Sequence, residues 1–214
     1  MTRSPSLCGI ILAAGGSSRM GRDKALLPWP ASSRTAVNLA ETFVGSHINA
    51  LKSHCDLVTI ITGVNTQSIE PVAYSLGAFV IQNHAPELGQ FSSLKIGMQD
   101  VLNRGRDAAI VSLVDRPPVM PATLATLHAS FLEALERNFW GVVPEFEGTH
   151  GHPYFAARDL IEAFLRAPLT ATARDVMHAH EGKLRYVRVE DRNATLNIDT
   201  PEDYAALGAP PPGR

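Results

Sequence analysis

The 214 residues are 45% hydrophobic and 19% charged, an ordinary globular balance that supports one α/β domain with a full core. With 19 Lys+Arg against 21 Asp+Glu, the formal charge of -2 excludes a global positive field for nucleic acid or acidic membranes. Any anion site must therefore be local, built from a few placed cations and backbone N–H groups. Two cysteines, Cys8 and Cys55, are too few for a disulfide scaffold and read as reduced core thiols. The apolar run Leu7–Ala14 is too short for a membrane span, so a cytoplasmic protein is expected.

Apolar β-rich runs alternate with helical patterns. Strands are expected over Leu7–Ala13, Leu57–Gly63, Ala78–Gln82, Ala108–Val114, Trp140–Pro144 and Leu184–Val189. Most are continuous apolar runs, the mark of strands buried on both faces in a parallel sheet. Helices are expected over Thr35–Ala50, Thr66–Leu76, Ser92–Leu102, Ala122–Glu136, Ala156–Leu165, Ala171–His180 and Pro201–Leu207, the last opened by a proline in its first turn. The alternation implies βαβ crossovers and a single doubly wound, mostly parallel sheet with helices on both faces. The expected domain is 1–207, with a disordered Pro/Gly-rich tail over 208–214. In such sheets ligands bind beyond the carboxyl ends of the strands.

The loop after the first strand reads Leu12-Ala13-Ala14-Gly15-Gly16-Ser17-Ser18-Arg19-Met20-Gly21-Arg22-Asp23-Lys24. Small residues let the backbone approach a ligand and turn N–H groups inward, and the basic residues that follow can neutralise phosphate oxygens. The pattern is not a Walker A motif, because Arg22 stands where its lysine belongs, and the Rossmann G-x-G-x-x-G is also absent. After the fourth strand comes Val114-Asp115-Arg116-Pro117-Pro118. An aspartate at a strand's carboxyl end, held by a stiff turn, is a preorganised magnesium ligand. Ser92 and Ser93 follow Gly89 at a helix start, which suits either an anion-binding end or plain capping. His150 and His152 flank Gly151. With no cysteine or third histidine nearby, a turn carrying one functional histidine suits them better than zinc. Thr200-Pro201-Glu202-Asp203 makes a good helix start by itself and leaves Asn197 and Asp199 unexplained.

The pattern L-A-A-G-x-S-x-R-M-G-x-x-K resembles the signature loop of molybdenum cofactor nucleotidyltransferases. Ala14, where the guanylyl-transferring branch carries glycine, makes it similar to the cytidylyltransferase branch. Further segments occur in the family's order: Gly89-x-Phe91-Ser92-Ser93-Leu94, Asp115 before Pro117-Pro118, Gly151-His152-Pro153, Ala173-Arg174-Asp175, and Ile198-Asp199-Thr200-Pro201-Glu202-Asp203. This chain departs from the family in having Arg116 for glutamine and Asn197 for aspartate. The resemblance implies a Rossmann-like nucleotidyltransferase fold and a Mg²⁺-dependent transfer of CMP from CTP to the phosphate of molybdopterin, releasing pyrophosphate. It implies nucleotide contacts from Leu12, Ala13, Ala14, Gly15, Gly16, Ser17, Arg19 and Lys24, with Arg19, Lys24 and Asp115 in the chemistry. It further implies acceptor contacts from Ser92, Ser93 and His152. Asp115 and Asp199 would hold the metal, with Asn197 as a neutral oxygen donor or supporting partner. A recipient molybdoenzyme is an implied partner. Two other readings fit the same residues: a nucleotidyltransferase acting on a sugar or polyol phosphate, and a non-catalytic nucleotide escort for a molybdoenzyme.

Overall fold

The computed structural model describes residues 4–15, 23–31 and 38–207. The first strand, β1 (Leu7–Ala13), is buried along its whole length. Its residues alternate between two cores. Leu7, Ile11 and Ala13 face one, and Cys8, Ile10 and Leu12 face the other. The period-2 side-chain alternation of a strand makes one apolar run serve both layers. Five elements complete the first half: α1 (Phe43–Lys52), β2 (Leu57–Thr62), α2 (Thr66–Ser75), β3 (Phe79–Gln82) and α3 (Gln90–Asn103). β4 (Ala108–Leu113) and α4 (Pro121–Glu136) follow, then β5 (Gly141–Phe146), β6 (Thr149–His150) and β7 (Tyr154–Ala157). The chain ends with α5 (Arg158–Arg166), α6 (Ala173–Ala179), β8 (Leu184–Arg188) and α7 (Pro201–Leu207).

These strands form one eight-stranded sheet in the order β3-β2-β1-β4-β7-β5-β6, with β8 paired to β5. β3, β2, β1 and β4 run parallel, as does β8 to β5. Helices α1, α2 and α4 cover one face through Phe43, Ile48, Ile69, Leu127 and Phe131. α3, α5 and α6 cover the other through Leu94, Met98, Leu160, Phe164 and Val176. The doubly wound, mostly parallel sheet expected from the sequence is present. Among the described residues no helix is long and apolar enough to cross a membrane.

Two strands escape the sequence pattern. β7 inserts antiparallel between β4 and β5, pairing Ala156 with both Ala109 and Gly141, and β6 pairs antiparallel with the end of β5. The helix expected from Ala156 therefore begins two residues later. Alanines 156 and 157 are strong helix formers, but here they are a fully covered central strand, because tertiary pairing overrides intrinsic preference. In the stretch 35–50, residues 35–37 lie outside the described residues. Asn38 caps a single 3₁₀ turn, Leu39–Glu41, and Thr42 caps α1 by accepting from the Gly45 N–H at 3.1 Å. Cys8 is fully buried and Cys55 half-buried, and both are free thiols.

Parallel strands bring their carboxyl ends to one edge of the sheet. There the Val114 N–H donates to the Leu12 carbonyl at 3.1 Å, and the Asn83 N–H to the Thr62 carbonyl at 2.8 Å.

Candidate active site

At this edge, Asp23 opens a 3₁₀ turn, Lys24–Leu26, by accepting from the Ala25 N–H at 3.0 Å. Its other carboxylate oxygen accepts from the Asn65 amide at 2.8 Å, and the same amide nitrogen donates to the Ala13 carbonyl at 3.0 Å. The returning loop is thereby tied to the end of β1. Lys24 Nζ lies 3.0 Å from Asp199 Oδ1, a contact across 175 residues of chain. Asp199 is held in turn by the start of α7. Its N–H and that of Thr200 both donate to Asp203 Oδ2 at 2.9 Å, and the Asp203 N–H returns to Thr200 Oγ1. Thr200 and Asp203 therefore do the capping that their spacing suggested.

Asp115 follows β4 directly. The Ile198 N–H donates to the Asp115 carbonyl oxygen at 2.9 Å, which stitches the carboxyl end of β4 to the segment carrying Asp199. Asp115 Oδ1 is buried and has no hydrogen-bond partner among the described residues. Burial pushes this carboxyl above the usual range, against the opposing pull of Lys24 and Arg116. A carboxylate kept in such a place calls for a cation. Lys24, Asp115 and Asp199 thus converge, although they are scattered along the sequence. Asn197 is exposed while Asp199 is half-buried against Lys24, so the geometry separates the two. Gly16, Ser17 and Arg19 lie outside the described residues.

Leu12, Ala14, Gly15, Lys24, Ser93 and Asp115 line one cavity of about 150 Å³, completed by Pro86, Gly89, Gln90 and Val114. Ala13 is a buried strand residue that contributes its carbonyl to Asn65. A second cavity of about 1220 Å³ shares Leu12, Gly89 and Gln90 with the first, so the two are contiguous. α3 begins at Gln90, with Gly89 at φ 87° as its cap, a backbone conformation that suits glycine. Ser92 and Ser93 are consequently third and fourth in the helix. Asn83 Nδ2 donates to both hydroxyls at 2.9 Å, and the Ser92 hydroxyl donates to the Gly89 carbonyl at 2.8 Å. Ser92 thus fixes the turn, while Ser93 reaches the smaller cavity.

His152 lines the larger cavity. Its ring is buried, its Nδ1 has no partner among the described residues, and burial next to Arg116 pulls its pKa down to about 3, so the imidazole is neutral. Arg174 also lines this cavity. His150 stacks on Tyr186 with ring centroids 4.1 Å apart, at the cavity's outer side.

Several site residues carry no sequence signal. Asn65 and Asn83 act through tertiary hydrogen bonds. His47, on α1, is fully buried, with Nδ1 2.9 Å from the Ser112 hydroxyl and Nε2 2.9 Å from the Arg116 carbonyl. Burial pulls its pKa to about 4, so the neutral ring donates from Nε2 to that carbonyl and accepts at Nδ1 from Ser112. The loop after β4 rests on it.

The parallel sheet, with a lysine and two carboxylates gathered at its carboxyl edge, defines an α/β enzyme of the nucleotidyltransferase class. Residues 9–184 match the family described as the MobA-like NTP transferase domain, and the chain belongs to that family. It is 32% identical over 210 residues to a probable molybdenum cofactor guanylyltransferase of Mycobacterium avium, covering 97% of this chain and 98% of that protein. It is 24% identical over 196 residues to the molybdenum cofactor cytidylyltransferase of Escherichia coli, covering 91% and 92%. It is also 26% identical over 210 residues to the purine catabolism protein PucB of Bacillus subtilis, covering 94% and 96%. Among solved structures, Rv0371c of Mycobacterium tuberculosis H37Rv shares the fold with a TM-score of 0.75 at 23% identity, over 96% of this chain and 98% of that one.

Proposed function

We propose that the protein transfers a nucleoside monophosphate from a nucleoside triphosphate to the phosphate of molybdopterin and releases pyrophosphate. The carrying observation is the convergence of Lys24, Asp115 and Asp199 beside a cavity lined by Leu12, Ala14 and Gly15. The triphosphate occupies the smaller cavity, against the backbone that follows β1, with Gly16, Ser17 and Arg19 completing its contacts. The acceptor occupies the larger one, bordered by His152, with Ser93 at the shared wall and Ser92 holding the turn.

The residues present fit a divalent cation, with Mg²⁺ the proposed ion. Asp115 offers a buried carboxylate oxygen without a partner among the described residues, and the Asp199 carboxylate is close enough to influence its charge. No group of three or more His, Cys, Asp or Glu that could hold a metal occurs among the described residues. Substrate phosphates and water would complete the ligand set, as is usual for Mg²⁺. When bound, the ion supplies charge neutralisation at the α-phosphate. The protein's own part is positioning and electrostatics. A phosphate oxygen of the acceptor forms the new bond to the α-phosphorus as the bond to the pyrophosphate bridge breaks in line. Lys24 and Arg19 stabilise the charge that builds on the leaving group.

Ala14 favours CTP. The 32% identity to a guanylyltransferase supports GTP as the second reading. A thermal-shift panel of CTP, GTP, ATP and UTP with and without Mg²⁺ decides between them, because a ligand that binds only the native state raises its stability. Pyrophosphate release with molybdopterin, a sugar 1-phosphate and a polyol phosphate tests the acceptor. Tight nucleotide binding without release in any mixture would instead support an escort for a molybdoenzyme.

A further inference from the structure

Three buried polar atoms without hydrogen-bond partners among the described residues belong to side chains that line the larger cavity: Arg116 Nε, His152 Nδ1 and Tyr154 Oη. Native interiors leave such groups unsatisfied rarely, because each costs the full desolvation of a polar atom. Their placement here is built. The Ala194 carbonyl oxygen accepts both from Arg116 Nη1 at 3.1 Å and from the His152 N–H at 2.8 Å, so one backbone atom anchors both residues. The rings of His152 and Tyr154 lie 5.2 Å apart, and the Arg116 backbone rests on His47. The Tyr154 phenol is held neutral by burial and can only offer its O–H proton or its lone pairs.

We infer that Arg116, His152 and Tyr154 form an anion subsite that seats the acceptor's phosphate and selects a phosphomonoester over a neutral hydroxyl acceptor. The inference rests on the transfer reaction proposed above and deepens it. A guanidinium, a neutral imidazole and a phenol together supply one full positive charge and several donors, which suit the oxygens of a phosphate and offset part of its charge. The topology places this anion beside the chemistry. Asp115 lines the smaller cavity, and the next residue in the chain, Arg116, lines the larger. An acceptor phosphate held by Arg116 therefore stands one residue away from the carboxylate that serves the triphosphate. The arginine at this position, in place of the glutamine expected from the resemblance, adds a positive charge that offsets part of the phosphate's.

Initial-rate kinetics of pyrophosphate release test the subsite, with Arg116→Gln and Tyr154→Phe compared with the wild-type protein. The acceptor KM is expected to rise roughly 10- to 100-fold in Arg116→Gln and about 5-fold in Tyr154→Phe, with the triphosphate KM unchanged. If Arg116→Gln does not fold, the Tyr154→Phe result stands as the test. An unchanged acceptor KM in the folded variants overturns the inference. A second arm uses inorganic phosphate alone as the probe and reads the melting temperature. A phosphate-dependent rise that survives Lys24→Ala but disappears in Arg116→Gln supports the subsite even if no acceptor is turned over, in which case the transferase reading alone fails. A rise that Arg116→Gln leaves intact overturns the subsite whether or not turnover occurs.

Discussion

The two ends of the active cleft are built on different principles. On the proposed triphosphate side, Lys24 and Asp199 meet as an ion pair at 3.0 Å, each fixed by its own local cap. On the proposed acceptor side, the inserted strand β7 and the turn before it deliver buried groups without a hydrogen-bond partner among the described residues, namely His152 and Tyr154 beside Arg116. The first region sets the charges of Lys24 and Asp199 against each other. The second holds desolvated donors whose natural partner is a ligand. On the proposed function, the difference teaches that binding a highly charged nucleotide and selecting an acceptor place unlike demands on the same sheet edge.

The largest effects should come from the triphosphate side. Asp115→Ala and Lys24→Ala are each expected to cut the rate of pyrophosphate release by roughly 100- to 1000-fold, the typical loss for one preorganised electrostatic contact. Near-normal turnover in either variant would remove that residue from the chemistry and break the contrast.

A smaller effect is expected where the acceptor side meets its support. A side chain at Gly151 would collide with the Ala194 carbonyl, the atom that anchors Arg116 and His152. Gly151→Val should destabilise the fold by about 1–3 kcal/mol and raise the acceptor KM while sparing triphosphate binding. Urea unfolding together with nucleotide thermal shifts would check both halves. Equal loss of both ligands would mean that the two regions are not separable.

The last effect concerns pH. His47 and His152 titrate near 6.5 when unfolded but only near pH 4 and pH 3 in the folded protein, so below about pH 6.5 the unfolded chain binds more protons. Stability should therefore fall as pH drops from about 6.5 towards 4. His47→Gln, which keeps a donor and an acceptor, should flatten that slope in melting temperatures measured across the range. An unchanged slope would mean that His47 is not held neutral beneath Arg116.

Much of this architecture is legible in the sequence. The continuous apolar run Leu7–Ala13 announced a strand covered on both faces, and Thr200-Pro201-Glu202-Asp203 announced the start of α7, because strand burial and helix capping are local in sequence. Asp115 could be singled out for the same reason, since an acid closing an apolar strand before two prolines is a local pattern.

Other features were invisible. Tyr154-Phe155-Ala156-Ala157 has no turn signal or alternation to separate it from the helix that follows, and only its pairing with β4 and β5 makes it a strand. His47 and Asn83 look like ordinary helix and loop residues until the fold sets them beneath Arg116 and against the two serines. By itself, then, the sequence determined the alternating α/β order, the glycine-bearing loop and the acids at the strand and helix ends. Tertiary structure alone decided that Lys24 meets Asp199 across 175 residues, and that one carbonyl of Ala194 organises Arg116 and His152. The reason is physical: propensity and capping act within a few residues, whereas burial without a hydrogen-bond partner is a property that only the packed chain can possess.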